Sequence, residues 1–359
     1  GGMTASWFSR EIMTNYPEID VIVRGEADEN LPRTLQRYFS GKSLECVPGI
    51  VYRSVAGVKE TPLEKPPSEI DDIDYTSLEL LENWDKYLKT GATGFRRGNL
   101  PTFWLPIARG CVYNCIHCGG GKEAYKMWSG RGEIIFRSPC RIIEDMEQLR
   151  SKGVRAICLS HDPEILGKKF VSRFIDEVGK RHLDISLYFE SFSLPSRSFL
   201  EELLRKFENI CIGISPESGV EETRKRIGKG FSNNELLRIV EYMSNKGIES
   251  LCFFSFGMPG EGYEGLDAFK SLANKIMKKG AKIMPPFPYT IDPNCLMAVH
   301  ANNYGIRLRF KFFEDYRRAC LSDNPLEWIG HETSELRRTE IFDITNSARN
   351  YILNIENLS

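Results

Sequence analysis

Between Arg109 and Gly121 the chain reads RGCVYNCIHCGGG, with Cys111, Cys115 and Cys118 followed at once by Gly119, Gly120 and Gly121. Clustered cysteines suit zinc or an iron–sulfur centre, and glycine backbone lets another group come close. Structural zinc takes four ligands, usually from two well-separated pairs. Here three cysteines stand together and no second pair follows. His117, between the last two, would have to fold back sharply to complete a tetrahedron. A four-iron cube usually takes four thiolates. Three in a short loop hold three irons and leave one open, as catalytic metal sites keep a position open for substrate. A bare iron can bind and activate a small chelating molecule.

Further polar side chains fall at the ends of apolar runs: His161, Asp162, Glu164, Glu190 and Tyr289. A carboxylate in such a place can orient a substrate or take up a proton. Asp162 and Glu190 stand out as candidate catalytic groups because each directly ends a strongly apolar run. The alternative for each of these groups is an exposed loop residue or a polar group satisfied by backbone. Arg109, beside the first cysteine, either tunes a centre bound there or makes an ion pair. Phe103 and Trp104 are expected to pack the interior.

These residues need elements to position them. From about residue 100 the chain alternates short apolar, β-branched or aromatic runs with longer amphipathic ones. The short runs are TFWLPIA (102–108), VRAICLS (154–160), LDISLYF (183–189), NICIGIS (209–215), SLCFFSF (250–256) and AKIMPPF (281–287). Each has the length and composition of a strand buried on both faces of a parallel sheet. Between them the period is helical: Ile142, Met146 and Leu149 share a face, and Ser232 with Glu235 forms a capping box before a helix that stops at Gly247. Six strands separated by helices imply right-handed βα units, either in an open doubly wound sheet or in a partial (β/α) barrel. Both architectures carry their chemistry at the C-terminal ends of the strands, and the cysteine stretch directly follows the first strand.

Composition narrows the class. The 359 residues are 41% hydrophobic and 27% charged, enough for a large core and more than one domain. With 48 Lys and Arg against 49 Asp and Glu and no basic run, nothing calls for nucleic acid or an anionic membrane. No apolar run approaches the roughly 20 residues of a membrane span, and no signal segment opens the chain; the expected location is the cytoplasm. Ten cysteines in this length do not make a disulfide scaffold. Cys158, Cys211 and Cys252 lie in apolar runs and read as small buried hydrophobes.

Cys111, Cys115 and Cys118 form a CxxxCxxC motif that resembles that of the radical S-adenosylmethionine (SAM) enzymes. GISPESG (213–219), after the fourth strand, resembles the family's GIESG segment, and FGMPGEG (256–262), after the fifth, resembles its GLPGET turn. The resemblance implies a partial (β/α)6, TIM-like radical SAM barrel in which the three cysteines hold a [4Fe–4S] cluster. The open iron would chelate the amino and carboxylate groups of SAM, and reductive cleavage would give a 5′-deoxyadenosyl radical that takes hydrogen from a substrate. It also implies cofactor contacts from His117, Gly119, Gly120, Glu217, Ser218, Gly257 and Pro259. An electron donor such as flavodoxin or ferredoxin and a small-molecule substrate complete the set. A rival reading is a non-catalytic iron–sulfur or zinc-binding protein on the same scaffold.

The front of the chain resembles another unit. GGMTAS with IDVIVRGEADENLPRTL is similar to the last third of the Rossmann-like cobalamin-binding domain that precedes the radical core in the B12-dependent class. PGIVYRSVAGVKETP is similar to the hairpin linker of that class. This implies cobalamin as a further candidate cofactor and C-methylation or other radical C–C chemistry. The missing beginning of the βα pattern suggests a front domain that is incomplete here, since about five strands would need about 80 more residues. The expected organisation is a B12-type fragment over 1–45, a hairpin linker over 46–98, a radical SAM core over 99–290 and a helical extension over 291–359.

Overall fold

The structure, a computed structural model, describes residues 2–89, 100–181 and 183–356. The last part of the expected linker, 90–98, and His182 lie outside these described residues. The front of the chain forms two short helices, Met3–Trp7 and Ser9–Asn15, then strand β1 (Val21–Val23) and the helix Asn30–Phe39. A hairpin follows, β2 (Ile50–Ser54) and β3 (Gly57–Glu60). β1 pairs antiparallel with β2, with Ile22 opposite Val51, so the order is β1-β2-β3. The pieces that the sequence divides near residue 45 thus share one sheet. Ile12, Met13, Ile22 and Val51 bury one of its faces.

The core is a six-stranded parallel sheet. It is built from β4 (Thr102–Leu105), then, after the short antiparallel pair β5 (Ala108–Arg109) and β6 (Ile135–Phe136), from β7 (Ala156–Leu159), β8 (Ser186–Ser191), β9 (Ile210–Glu217), β10 (Glu249–Phe254) and β11 (Lys282–Ile283). The spatial order is β4-β7-β8-β9-β10-β11, the chain order of the core strands. Every one of the six expected runs is a strand here. All the neighbours are parallel, as helical crossovers demand. β4 and β11 are the two edges, so the barrel is partial. β11 stops after Ile283 because Pro285 and Pro286 cannot donate to a ladder.

Side chains alternate along these strands between two environments. Leu105, Ile157, Leu159, Leu187, Phe189, Ile212 and Ile214 face the helices and form the main core with Ile142, Met146, Leu149, Leu236 and Phe269. The opposite face carries Ala156, Cys158, Tyr188, Cys211 and Leu251 and lines the concave side. Cys158, Cys211 and Cys252 are fully buried, as expected of small hydrophobes. Trp104 departs from its expected packing: it contacts Tyr188 edge-on at 5.9 Å yet is 55% exposed, because β4 is an edge strand. The helix Pro139–Ser151 starts at a Ser138 cap, and Asn233–Asn245 carries the Ser232–Glu235 capping box. The C-terminal part is mainly helical, ending in Arg338–Glu356, with a two-stranded antiparallel sheet of β12 (Ile306–Leu308) and β13 (His331–Thr333). No helix among the described residues is long and apolar enough to cross a membrane.

One fully buried ion pair ties the linker to the core. Arg137 pairs with Asp145, both side chains 0% exposed, while its other amino group donates to the carbonyl of Ile73 at 3.2 Å and its guanidinium lies 4.9 Å from the Tyr75 ring. Removing one partner leaves the other charge buried without compensation. Asp145→Ala is therefore expected to lower the unfolding free energy by about 3–5 kcal/mol, measured by urea denaturation; a loss within error would contradict this account of the pair.

Candidate active site

The cysteine loop leaves β5 through Gly110, whose φ of 83° favours glycine and whose carbonyl accepts from His161 Nε2 at 3.0 Å. Inside the loop Cys118 N–H donates to Cys115 O and Gly121 N–H to Cys118 O, both at 3.2 Å, so each turn closes on a cysteine. Gly121 ends the loop and starts the helix Lys122–Ser129. A Cβ on Gly121 would stand 3.3 Å from the carbonyls of Cys115 and Cys118, which explains a glycine at that place. The turn after β9 closes from the other side: Ile116 N–H donates to Ile227 O, and Gly228, at φ 100°, lies against the Cys115 backbone.

Cys111, Cys115 and Cys118 line one cavity of about 340 Å³ at the C-terminal ends of the strands. None is in a disulfide. Burial pushes all three thiols up from their ordinary range, so isolated thiolates are disfavoured there; a bound cationic centre reverses this, since a coordinating thiol is deprotonated outright. The three sulfurs surround a space. Three cysteines lining one cavity fit a multi-metal cluster with one ligand per metal.

The other walls supply polar groups of both signs. Glu217, at the end of β9, has φ 66° and stands with Oε1 3.4 Å from Lys229 Nζ and 3.6 Å from His117 Nε2; Oε2 accepts from Ser255 Oγ at 2.8 Å. Burial alone would raise its carboxyl, but Lys229 and His117 hold it down to about 2. Lys229 also donates to the carbonyl of Ser215 at 2.6 Å. Glu190 enters from β8, and there Tyr188 Oη donates to Glu190 Oε1 at 3.3 Å; burial raises this carboxyl. Gly213, beside them on β9, has no room for a side chain: a Cβ would come within 2.8 Å of Tyr188 Oη and 2.9 Å of Glu190 Cγ.

The sequence-derived candidates divide accordingly. Cys111, Cys115, Cys118, His117, Gly120, Glu190 and Glu217 share the cavity. Gly119 instead turns its open side outward, where a Cβ would meet Met3, Asp292 and Asn294. Ser218 is buried behind Glu217; its hydroxyl donates to Glu261 and accepts from Val220 N–H. Gly257 faces the C-terminal extension, where its carbonyl meets His331 Nε2 at 2.8 Å, and Pro259 is buried in the same turn. Asp162 joins two strand-end loops: Oδ1 accepts from Glu164 N–H, and Oδ2 from Phe192 N–H and Ser191 Oγ. Glu164 likewise caps Ser196 N–H. Arg109 is in an ion network with Asp28 and Glu26. Lys229 is the residue that motif reading missed; a lysine ten residues beyond GISPESG carries no signal until the turn after β9 is folded.

A partial βα barrel with three cysteines in a loop at its mouth is an arrangement that fits an iron–sulfur cluster with one open iron. Residues 105–273 match the model of the radical SAM superfamily, so the core of the chain is a radical SAM domain. The chain is 26% identical over 318 residues to an uncharacterized methyltransferase of Pyrococcus horikoshii, covering 85% of this chain and 65% of that protein. It is 26% identical over 283 residues to the anaerobic magnesium-protoporphyrin IX monomethyl ester cyclase of Rubrivivax gelatinosus, covering 76% and 48%. The chain thus spans between about half and two thirds of these relatives. In fold it is similar to the radical SAM methyltransferase TsrM of Kitasatospora setae, solved with cobalamin and a [4Fe–4S] cluster, at a TM-score of 0.66 and 15% identity over 92% of this chain and 63% of that one. The cobalamin-dependent SAM radical enzyme OxsB, solved with aqua-cobalamin and SAM, gives 0.65 and 16% over 97% and 52%. The superfamily match implies a [4Fe–4S] cluster and SAM, and the cysteine loop fits the former.

Ser218 and Glu261 give a pH test of this wall. Burial pushes Glu261 up to about 8 from an ordinary 4.5. A carboxyl raised on folding favours the folded state fully below its unfolded value, and that contribution is lost as pH rises toward the folded value. Between about pH 4.5 and 8 this group should therefore make stability fall with pH, and Glu261→Gln should flatten that part of the profile in urea unfolding series. Parallel profiles for both proteins would show that Glu261 does not titrate as described.

Proposed function

We propose that this chain is the catalytic part of a radical SAM enzyme that carries out cobalamin-linked C-methylation or other radical C–C chemistry on a small molecule. The observation that supports it most is the single cavity in which three cysteines, the Glu217–Lys229–His117 group and Glu190 meet. The cluster, when bound, supplies the electron that splits the sulfonium of SAM into methionine and a 5′-deoxyadenosyl radical. The chain's own residues do the rest. Cys111, Cys115 and Cys118 bind the cluster. Lys229 presents an ammonium suited to the carboxylate of SAM, and Glu217 suits its amino group. Gly120 leaves the cofactor space open. Glu190, hydrogen-bonded to Tyr188, is placed to orient an acceptor or hold a proton. Electrons come from a small redox protein of the flavodoxin or ferredoxin kind.

The cobalamin part of the reading is supported by the likeness to TsrM and OxsB, which extends over more than nine-tenths of this chain. Residues 2–60 contain no histidine, so no axial imidazole comes from the front unit described here.

Anaerobic reconstitution with iron and sulfide, reduction and addition of SAM should give a [4Fe–4S] spectrum that SAM perturbs, together with 5′-deoxyadenosine detected by chromatography. Cys115→Ala should abolish that product. Lys229→Met should weaken SAM binding by about 1.5–3 kcal/mol, the worth of a charged hydrogen bond, in equilibrium dialysis. Glu190→Gln should retain SAM cleavage and lose acceptor turnover. A cluster indifferent to SAM would instead support a non-catalytic iron–sulfur protein.

A further inference from the structure

The segment that follows β11 crosses beneath the cysteine loop and grips it. Tyr289 Oη donates to the carbonyl of His117. Gly119 is held on both of its backbone polar groups: its N–H donates to Asp292 Oδ2 at 2.9 Å, and its carbonyl accepts from Asn294 Nδ2 at 2.7 Å. Asn294 Nδ2 also reaches the carbonyl of Ala124 at 3.2 Å, and Met297 N–H donates to Ile116 O at 2.9 Å. All these contacts fall between Cys115 and the first turn of the helix that follows the loop. Asn294 is 0% exposed.

The fit around Gly119 is close. A Cβ there would fall 2.7 Å from Met3 Sδ and 2.8 Å from both Asn294 Oδ1 and Asp292 Oδ2, so the backbone of Gly119 is wedged between the front helix and this segment. The segment is anchored in turn. Ile291, Cys295 and Met297 join Ile116 and Ile227 in a small buried cluster. Tyr289 meets His331 edge-on at 5.7 Å, and His331 holds the carbonyl of Gly257.

We propose that Tyr289, Asp292 and Asn294 are positioning residues for the cluster: they fix the backbone on both sides of Cys118, and with it the placement of that sulfur relative to Cys111 and Cys115. The proposal rests on the reading of the three cysteines as cluster ligands. None of the three residues is itself a ligand. Their effect is on how firmly the cluster is held and on its electronic environment, since groups that orient a metal ligand tune the metal.

The test uses the reconstituted full chain with Tyr289→Phe, which removes one hydroxyl and keeps the ring, and Asn294→Asp, which sets a carboxylate against two carbonyls at unchanged volume. Both variants should lose iron to a competing chelator about 10- to 100-fold faster than the unaltered protein, the usual effect of removing a group that orients a metal ligand. Both should also shift the EPR signal of the reduced cluster. Thermal unfolding followed by circular dichroism separates this from loss of the fold. If Asn294→Asp does not fold, Tyr289→Phe decides alone. Folded variants with the unaltered EPR signal and iron retention would overturn the proposal, and so would lower thermal stability with both unchanged. If the unaltered protein forms no cluster signal at all, the ligand reading itself fails and the positioning role falls with it.

Discussion

A loop that presents three thiols to one space satisfies only part of its own backbone, and buried N–H and C=O groups need partners. That constraint governs this molecule. The loop closes short turns and one longer bond, from Lys122 N–H to Tyr113 O, and its remaining groups are paired from several directions. His161 takes the carbonyl of Gly110, and Ile227 takes the N–H of Ile116. Tyr289, Asp292 and Asn294 engage His117 and Gly119. The order of strands in the sheet is what brings these distant partners to a single mouth.

The electrostatics of the mouth follow from the same crowding. Burial opposes free thiolates, yet Lys229 stands close enough to Glu217 to keep that carboxylate charged at the end of β9. Glu217 also occupies a left-handed backbone conformation, unusual for a residue other than glycine. Such strain persists where the surroundings over-determine it. Here the surroundings are Ser255, His117 and Lys229, and the turn of the chain after Pro216 places the carboxylate among them. Glu190 comes from the neighbouring strand, where burial lifts its carboxyl and Tyr188 and Lys229 only partly offset that. Two carboxylates in one cavity thus have different protonation tendencies, the usual basis for different tasks.

Much of this was legible in the sequence because it rests on local signals. Six apolar runs became six parallel strands, and Ser232 with Glu235 capped the helix they announced. Cys111, Cys115 and Cys118 are near neighbours in the chain, so their spacing marked them as a group, and they line one cavity. What stayed hidden depends on partners far apart. Asp292 and Asn294 bond Gly119 across more than 170 positions, and no periodicity reports such a contact. The antiparallel pairing of β1 with β2 joined segments that composition separates. Trp104 reads as a core residue until β4 is known to be an edge. Asp162 and Glu190 look alike at strand ends, yet one carboxylate is taken up by Glu164, Ser191 and Phe192 while the other lines the cavity.

The ion network at Arg109 bears on how far the two halves of this chain can be exchanged between proteins. Arg109 stands two positions before Cys111 and pairs with Asp28, while Arg131 pairs with Glu26, whose side chain is only 3% exposed between the two cations. Arg131 also donates to the carbonyl of Pro67 in the connector. A front unit without carboxylates at the places of Glu26 and Asp28 would leave these guanidinium groups without those partners at the root of the cysteine loop. Exchanging either part therefore requires keeping Glu26, Asp28, Arg109 and Arg131 as a set.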